Sequence, residues 1–293
     1  MQYYAWRFVT ALLARLPLRV SYAVAEACGW IAYAWWPRGR RATTRNFRHI
    51  LPGANASYLA RRSLSNYCRY LVDFARMPSL QPSELLAAAH EVDGCFTHLS
   101  DITATGRGVV IVAVHFGNWD LGAAATAARG HPLAVVGESF PDARLTRAVF
   151  GARERLGMKV LPLESLGPSL FKSLRRGGLL ALLIDRPGPG DGVTVPFFGR
   201  EVDVPAGPAR IARRSGAAVL PCAFPRRDPW HADIDVHADF SVDVIPTDDE
   251  EADIRRITAA IMAAHERFIR HYPDQWYMFR DMWPAKEKTT VRQ

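Results

Sequence analysis

Short apolar runs alternate with amphipathic stretches through most of the chain. Runs of about four to eight apolar residues are typical of buried strands, and apolar positions three and four apart are typical of helices. The pattern predicts strands at 109–114, 133–136, 159–162, 179–184 and 217–224, and helices at 121–129, 143–156, 168–176, 206–214 and 250–272. Such alternation favours an α/β fold with a mainly parallel central sheet flanked by helices.

Three further segments have a recognisable pattern. Residues 56–77 place apolar side chains near helical spacing. Residues 193–198 and 201–204 flank a glycine and an arginine, which predicts a hairpin because glycine suits a tight turn. Residues 225–231 are expected to form a surface loop.

The first fifty residues differ from the rest of the chain. Two apolar runs, 5–16 and 20–36, are separated by Pro17 and ended by Pro37, and the second run carries three tryptophans. Neither run is an uninterrupted span of about 20 apolar residues, which a helix needs to cross a bilayer. Both suit helices that lie in a membrane interface with their tryptophans at headgroup depth.

Positive charge is concentrated in the same region. Residues 1–72 contain eleven arginines and one acidic residue, a net charge of +10, so the remainder carries −2 of the total of +8. A basic segment with tryptophans favours an anionic membrane lipid as partner, and no nucleic-acid recognition motif is present. We therefore predict N-terminal amphipathic, membrane-interface helices at 1–50 and a larger domain at 51–293. The alternative is a pair of buried core helices followed by a solvated basic loop.

The four cysteines predict no disulfide framework. Cys28, Cys68, Cys95 and Cys222 are widely spaced in apolar or small-residue settings, which is typical of reduced, packed thiols. The N-terminus has no basic region ahead of its apolar run, and a glutamate stands where a cleavage site requires small neutral residues. We therefore expect a protein that faces the cytosol.

The most informative stretch follows the strand predicted at 109–114. His115 ends this strand, a turn-like Phe116-Gly117-Asn118 follows, and Asp120 opens the next helix. Open α/β sheets place ligand sites at the carboxyl ends of strands, and a histidine with a carboxylate can act as a base at neutral pH. Two other interpretations are a purely structural histidine and a zinc ligand, although neither H-E-x-x-H nor C-x-x-C spacing supplies further ligands.

The segment from His115 to Asp120 reads H-F-G-N-W-D and resembles the H-x4-D/E motif of membrane glycolipid and glycerolipid acyltransferases. It is most similar to the H-x-G-N-W-D form of the bacterial lipid A lauroyl/myristoyl acyltransferase family, which phosphatidylinositol mannoside acyltransferases share. Further blocks that match in order are Gly137-Glu138-Ser139, 153–163, Asp185-Arg186, 192–199, 205–209, 215–221 and 274–279. The resemblance spans nearly the whole chain.

This resemblance implies a glycerolipid acyltransferase-like fold, with 51–293 as the catalytic domain. It implies transfer of a fatty acyl chain from acyl-CoA or acyl-carrier protein to a hydroxyl of a glycolipid, of the lipid A precursor or phosphatidylinositol mannoside type. No metal and no cofactor are expected, and the location is the cytoplasmic face of the inner membrane. Pro187-Gly188-Pro189-Gly190 departs from a more polar segment in the mannoside enzymes, which leaves the acceptor open.

Within this scheme His115 and Asp120 form the expected catalytic pair. His115 removes the proton of the acceptor hydroxyl, and Asp120 accepts the other ring N–H and stabilises the imidazolium. Direct transfer without an acyl-enzyme is favoured because no serine or cysteine lies in a nucleophile motif. Asn118 is counted with the substrate-binding residues.

Four charged residues are expected to bind substrate. Glu138 and Arg153 match functional residues of the mannoside acyltransferases by their spacing from His115, and they are expected to pair and hold the acceptor or the oxyanion. Asp185 and Arg186 lie at the same sheet edge as His115 if the strands are parallel, and the arginine fork suits phosphate. The alternatives are an ion pair that only satisfies partly buried charges and an aspartate that caps the next loop.

Phe197, Phe198 and Gly207 are expected to line an acyl-chain tunnel, with the glycine allowing close backbone approach. The alternative is an ordinary core hairpin and helix start. The aromatic segment 274–279 is expected to dock on the core.

Two other functions remain open at this point. A lipid thioesterase or hydrolase would use water in place of the acceptor. A non-catalytic lipid-binding protein would keep the fold without turnover.

Overall fold

The computed structural model of the chain describes residues 2–186 and 192–283. The helices are α1 (Gln2–Arg15), α2 (Leu18–Trp35), α3 (Pro37–Ile50), α4 (Ala56–Arg76), α5 (Pro82–Ala88), α6 (Cys95–Ala104), α7 (Trp119–Ala128), α8 (Ala143–Glu154), α9 (Pro168–Leu174), α10 (Gly207–Ser215) and α11 (Glu250–His271). The strands are β1 (Ala89–Glu91), β2 (Val109–Ala113), β3 (Leu133–Gly137), β4 (Lys159–Pro162), β5 (Leu179–Leu183), β6 (Gly192–Phe197), β7 (Arg200–Pro205), β8 (Ala218–Ala223) and β9 (Ile234–Ala238).

Seven of these strands form the central sheet, in the order β1-β9-β8-β2-β5-β3-β4. Strand β2 lies at its centre and pairs in parallel with both β5 and β8, whereas β8 and β9 pair antiparallel. The predicted α/β fold with a mainly parallel sheet flanked by helices is therefore confirmed. The chain leaves β2 toward β3 and later returns to β8 on its other side, which makes the end of β2 a topological switch point.

Every side chain of β2 is buried because helices cover both faces of the sheet. Val110 and Val112 belong to a core that includes Ile257 and Ile261 of α11. Ile111 and its alternate neighbours face a second core, which α6, α7 and α8 complete. Successive side chains of a strand point to opposite faces, so a continuous apolar run is what a two-sided core requires.

The predicted hairpin forms from β6 and β7. Phe198 and Gly199 between them have φ angles of +49° and +74°, the positive values that the common two-residue hairpin turn needs at both positions.

The two predicted N-terminal helices form as α1 and α2, and the basic segment after them is helix α3 rather than a solvated loop. Phe47 and Ile50 of α3 join the core. Helix α2 packs closely on α4, since a methyl group on Gly29 would lie 2.4 Å from the Cα atom of Ser65. None of the described helices is long and apolar enough to cross a membrane, and the proposed boundary at residue 50 stays a prediction.

One predicted loop differs from expectation. Residues 225–231 connect β8 and β9, but Arg226 within them is only 6 % exposed. Its guanidinium forms an ion pair with buried Asp73 of α4, which draws this part of the loop into the interior.

Candidate active site

His115 and Asp185 follow two neighbouring parallel strands at the same edge of the sheet. In the register between β2 and β5, Ala113 lies beside Leu183, so the residues two positions later are also brought side by side. Nδ1 of His115 is 2.7 Å from Oδ1 of Asp185, and the backbone N–H of His115 donates to Oδ2 at 3.0 Å. One carboxylate thus holds both the ring and the backbone of the histidine.

Asp185 is ionised although it is fully buried. Burial alone would raise the pKa of Asp185, but the hydrogen bonds from His115, the charge that its imidazole carries when protonated and the nearby charge of Arg186 outweigh burial, so this pKa lies below its usual value. The indole Nε1 of Trp276 also donates to Oδ2, at 3.3 Å. An ionised carboxylate accepts from Nδ1–H, which leaves the lone pair of the neutral imidazole on Nε2.

Nε2 of His115 is open to a ligand. No described residue forms a hydrogen bond with it, and the His115 side chain is 14 % exposed. The Trp119 indole packs edge-on against the imidazole, with ring centroids 5.3 Å apart. A hydroxyl group that enters beside Trp119 can therefore reach the basic nitrogen.

Asp120, the expected partner of His115, binds Arg153 instead. Nε and Nη2 of Arg153 donate to its two oxygens at 2.7 and 3.1 Å, and the Tyr70 hydroxyl donates to Oδ2 at 2.7 Å. Asp120 lies in the first turn of α7, where it faces Tyr70 of α4 and Arg153 of α8. The prediction that Asp120 accepts the ring N–H of His115 is therefore wrong, because Asp185 accepts it.

Arg153 is also not paired as expected. Burial alone would lower the pKa of Arg153, but the Asp120 carboxylate outweighs this effect and raises it, so the guanidinium stays charged. Glu138 lies exposed in the loop after β3. The predicted pair of Glu138 and Arg153 is therefore wrong, because the guanidinium already binds Asp120 with two parallel hydrogen bonds.

The turn after His115 is fixed by backbone contacts. Gly117 has a φ of +61°, and a methyl group on it would lie 2.0 Å from the carbonyl oxygen of Phe224. The backbone N–H of Asn118 donates to that same oxygen at 2.8 Å, and its side chain caps α7 by accepting from the N–H of Leu121. Asn118 is fully buried, so its place is in the framework of the turn, and its predicted contact with substrate stays a prediction.

The C-terminal aromatic segment docks on the core, as expected. Trp276 and Tyr277 are both about 1 % exposed, and the N–H of Tyr277 donates to the carbonyl of His115 at 2.8 Å. The sequence did not predict that this segment reaches the histidine. The features that could have indicated this contact are Trp276, whose indole N–H needs an acceptor when buried, and the position of Asp185 at a strand end.

An apolar cavity of about 80 Å³ lies beside this group of residues, between the sheet and helices α6 and α7. Trp119, Asp120 and Arg153 line it near the strand ends. Its other walls are mostly small or apolar side chains, which include Leu99, Ala113, Ala123, Val135, Ala181, Leu183 and Cys222. The cavity therefore runs from the charged residues into the second core.

Phe197, Phe198 and Gly207 line neither this cavity nor a second, polar one near Arg62 and Asp274. Phe197 is fully buried and packs on Trp276, with ring centroids 6.0 Å apart. A methyl group on Gly207 would meet no atom within 4 Å, so no close approach requires a glycine there. The described apolar cavity lies within the second core, whereas Phe197 and Phe198 belong to the first, and the expected tunnel wall stays a prediction.

Arg186 lies next to Asp185, is partly exposed, and helps to lower the pKa of Asp185. Its contact with phosphate stays a prediction. The departure at Pro187-Gly188-Pro189-Gly190 lies outside the described residues.

Two of the cysteines are buried or half-buried thiols. Burial raises the pKa of Cys68 to about 11 and that of Cys95 to about 12, so both remain weakly reactive thiols. Within residues 2–186 and 192–283, no group of three or more His, Cys, Asp or Glu side chains is arranged to hold a metal ion.

Residues 1–285 match the family described as bacterial lipid A biosynthesis acyltransferase. The chain is 30% identical over 257 residues to a phosphatidylinositol mannoside acyltransferase of Mycobacterium tuberculosis, which covers 84% of this chain and 78% of the relative. It is 29% identical over 289 residues to the same-named protein of Mycolicibacterium smegmatis, covering 96% and 89%. It is 26% identical over 222 residues to a lipid A biosynthesis lauroyltransferase of Escherichia coli, covering 74% and 71%.

Proposed function

The chain belongs to the bacterial lipid A biosynthesis acyltransferase family and is an acyltransferase, and we propose that it moves a fatty acyl chain from an acyl thioester to a glycolipid hydroxyl with His115 as general base. The observation that carries this proposal is the hydrogen bond between Nδ1 of His115 and buried, ionised Asp185. It fixes the tautomer in which Nε2 is basic.

The reaction proceeds by direct transfer. Nε2 of His115 takes the proton of the acceptor hydroxyl as its oxygen attacks the thioester carbonyl. A carbon–oxygen bond forms, the tetrahedral intermediate collapses, the carbon–sulfur bond breaks, and the thiolate leaves. Asp185 stabilises the transient imidazolium, which then returns its proton to the thiolate or to solvent.

Arg153 supplies positive charge near the carbonyl. Its guanidinium lines the apolar cavity together with Asp120, which holds it through two hydrogen bonds. A fixed cation at the mouth of an apolar cavity suits the oxyanion that develops during acyl transfer. Asp120 then acts through Arg153 rather than through His115.

The part of the fatty acyl chain next to the thioester occupies the cavity between the sheet and α6 and α7, whose volume of about 80 Å³ is smaller than a whole long acyl chain. Its lining is mostly apolar, and Trp119 connects it to His115 by contacting the imidazole. An acyl chain that lies in this space brings its thioester toward Trp119 and Arg153, which line the cavity, and Trp119 contacts the imidazole of His115.

Helices α1 and α2 form the membrane-binding surface. Large apolar side chains on them face solvent, with Phe8 70 % and Trp35 84 % exposed. Val20, Val24, Ile31 and Trp35 share one exposed face of α2, and exposed arginines of this region are Arg7, Arg15, Arg19, Arg38 and Arg41. Such a surface suits an anionic bilayer, and we place it at the cytoplasmic face of the inner membrane.

Acyl-CoA and acyl-carrier protein both present the required thioester, so either can be the donor. The phosphatidylinositol mannoside relatives are more similar to this chain than the lauroyltransferase is. We therefore propose a phosphatidylinositol mannoside type of acceptor ahead of a lipid A precursor.

The test uses purified protein with radiolabelled palmitoyl-CoA and vesicles that contain either acceptor type. We expect labelled phosphatidylinositol mannoside with the wild-type protein and none with folded His115→Ala. Label released as free fatty acid at the same rate with and without acceptor would instead indicate a thioesterase. A stable acyl-protein adduct in rapid-quench samples would contradict direct transfer.

A further inference from the structure

A buried polar network lies on the far side of the turn that follows His115. At its centre is Asp73 of α4, which is 6 % exposed. Its carboxylate accepts hydrogen bonds from the hydroxyl of Tyr22, the guanidinium of Arg226 and, at 2.9 Å, the side-chain amide of Asn118. Three separate elements thus meet on one carboxylate: helix α2, the β8–β9 loop and the histidine turn.

Arg226 reaches the same turn by a second route. Its backbone N–H donates to Oε1 of Gln275 at 2.7 Å, and its carbonyl accepts from Nε2 of Gln275 at 2.9 Å. The carbonyl of Gln275 in turn accepts from the N–H of Gly117 at 3.0 Å. Gly117 and Asn118, the second and third residues after His115, are therefore both anchored to the network.

Tyr22 completes the network from α2. It is fully buried, and Nη1 of Arg226 donates to its oxygen at 2.9 Å while its own proton goes to Asp73. Burial, followed by the negative charge of Asp73, raises the pKa of Tyr22, so the phenol keeps the proton that it donates. An apolar residue at position 22 would remove one hydrogen bond from Asp73 and one from Arg226. Both groups are buried, where an unsatisfied polar group is destabilising.

We propose that Tyr22 is a positioning residue for acyl transfer: through Asp73 it fixes Asn118 and the turn that sets the place of His115. Helix α2 is then part of the catalytic framework, although it contacts no reacting atom. A misplacement of about 1 Å from a distant substitution can lower a rate roughly a hundredfold, so loss of one hydroxyl can affect turnover without unfolding the chain.

The test compares Tyr22→Phe with Tyr33→Phe. Tyr33 lies on the same helix, and its hydroxyl has no hydrogen-bond partner among the described residues. The first readout is kcat and KM for palmitoyl-CoA, and this arm rests on the proposed function. The second is the NMR signal of the Nδ1 proton of His115, assigned by its loss in His115→Gln, which needs no turnover.

We expect Tyr22→Phe to lower kcat by roughly ten- to a hundredfold with KM nearly unchanged, and to shift or broaden the Nδ1 proton signal. Tyr33→Phe should match wild type in both readouts. Gln275→Met cuts the second route and should act in the same direction, so it serves if Tyr22→Phe fails to fold.

The two possible failures can be told apart. If wild type transfers no acyl chain, the proposed function fails, while the NMR comparison still tests the network. If wild type is active and folded Tyr22→Phe equals Tyr33→Phe in kcat and in the proton signal, the positioning role of Tyr22 is refuted.

Discussion

At the scale of single residues, the imidazole of His115 can act as a base only when its proton sits on Nδ1. Asp185 enforces this tautomer through one short hydrogen bond and keeps the backbone of His115 in place with its other oxygen. Asp120 serves a different group, because it binds Arg153 and Tyr70. Asp185 thus orients the base, whereas Asp120 holds the Arg153 cation in place.

Gly117 offers a test of the turn behind the histidine. We expect Gly117→Ala to lower the free energy of unfolding by more than about 2 kcal/mol, because the left-handed backbone disfavours a side chain and a methyl group would meet the Phe224 carbonyl. Gly53→Ala is the matched control, since Gly53 has a φ of +92° but open space around it. Urea denaturation of both variants separates the cost of the left-handed backbone from the cost of the contact with Phe224. An equal loss of unfolding free energy in both variants would contradict the close contact.

His265 of α11 predicts a pH dependence of stability. Burial lowers the pKa of His265 to about 4 from an ordinary value of 6.5. Below pH 6.5 the imidazole of His265 is protonated in the unfolded chain but remains neutral in the folded chain. The free energy of unfolding therefore decreases as the pH is lowered from 6.5 to about 4, where the folded group also protonates. The contribution is on the order of 3 kcal/mol.

Urea denaturation at pH 7 and pH 4.5 measures this effect. His265→Leu should lose less stability over that interval than wild type does, and His98→Gln, at an exposed position, should behave like wild type. An unchanged pH dependence in folded His265→Leu would show that this histidine titrates normally.

The sequence predicted His115 at the edge of the sheet and also predicted Asp185 there, on the condition of parallel strands. It could not predict their contact, because the hydrogen bond depends on the register of β2 against β5, and both strands are uniformly apolar. A spacing of four residues suggested Asp120 instead. The direction in which α7 leaves the turn, set by the Phe224 and Gln275 contacts, decides against it.

At the scale of elements, the candidate active site forms where β2, β5 and α7 converge. The sheet supplies His115 and Asp185, and α7 supplies the residues that connect them to the cavity. Most strands and helices were predictable because their apolar periodicity is strong. The role of the hairpin β6–β7 was not, since a hairpin that packs on the core and one that lines a tunnel have the same apolar pattern.

If the acyl chain enters the cavity as proposed, the cavity walls set the preferred chain length. Ala123 of α7 lines it, so Ala123→Phe should fill part of it and shift the preferred donor toward shorter acyl chains, at a cost of about 1–3 kcal/mol in stability. Gly207→Ala, near the tunnel wall expected from sequence, should leave the preference unchanged because its methyl group meets open space.

Relative kcat/KM values for octanoyl- to stearoyl-CoA give the measurement. If Gly207→Ala changed the preferred chain length and Ala123→Phe did not, the acyl chain would bind on the other face of the sheet and not in this cavity.

At the scale of the whole molecule, charge and apolar surface coincide at the N-terminus. The first 72 residues carry a net charge of +10, and α1 buries none of its side chains. Composition predicted this surface, whereas the link from α2 to the histidine turn through Tyr22 and Asp73 depends on a three-dimensional meeting of distant segments. No local pattern could have revealed it.

The proposed membrane surface on α1 and α2 predicts a selective loss of vesicle binding. Trp35→Ser should weaken binding to anionic vesicles several-fold while changing the free energy of unfolding by less than about 0.5 kcal/mol, because the side chain is 84 % exposed. Phe240→Ser, at another exposed aromatic residue, is the control and should bind like wild type.

Co-sedimentation with anionic and neutral vesicles at rising salt provides the readout. Wild-type binding to anionic vesicles should weaken as salt screens the arginines. Equal binding to both vesicle types at low salt would contradict the electrostatic part.

The central claim is that Asp185, and not Asp120, orients the base. Single-turnover acyl transfer should therefore be measured for Asp185→Asn and Asp120→Asn with saturating donor, beside wild type and His115→Ala. We predict that Asp185→Asn loses roughly 10²–10⁴ in rate, close to His115→Ala, because the amide can favour the wrong tautomer. Asp120→Asn should lose less and should respond to Arg153→Lys non-additively, since the two side chains act as one unit. A folded Asp185→Asn enzyme with near wild-type rate, beside a nearly inactive Asp120→Asn enzyme, would contradict this account.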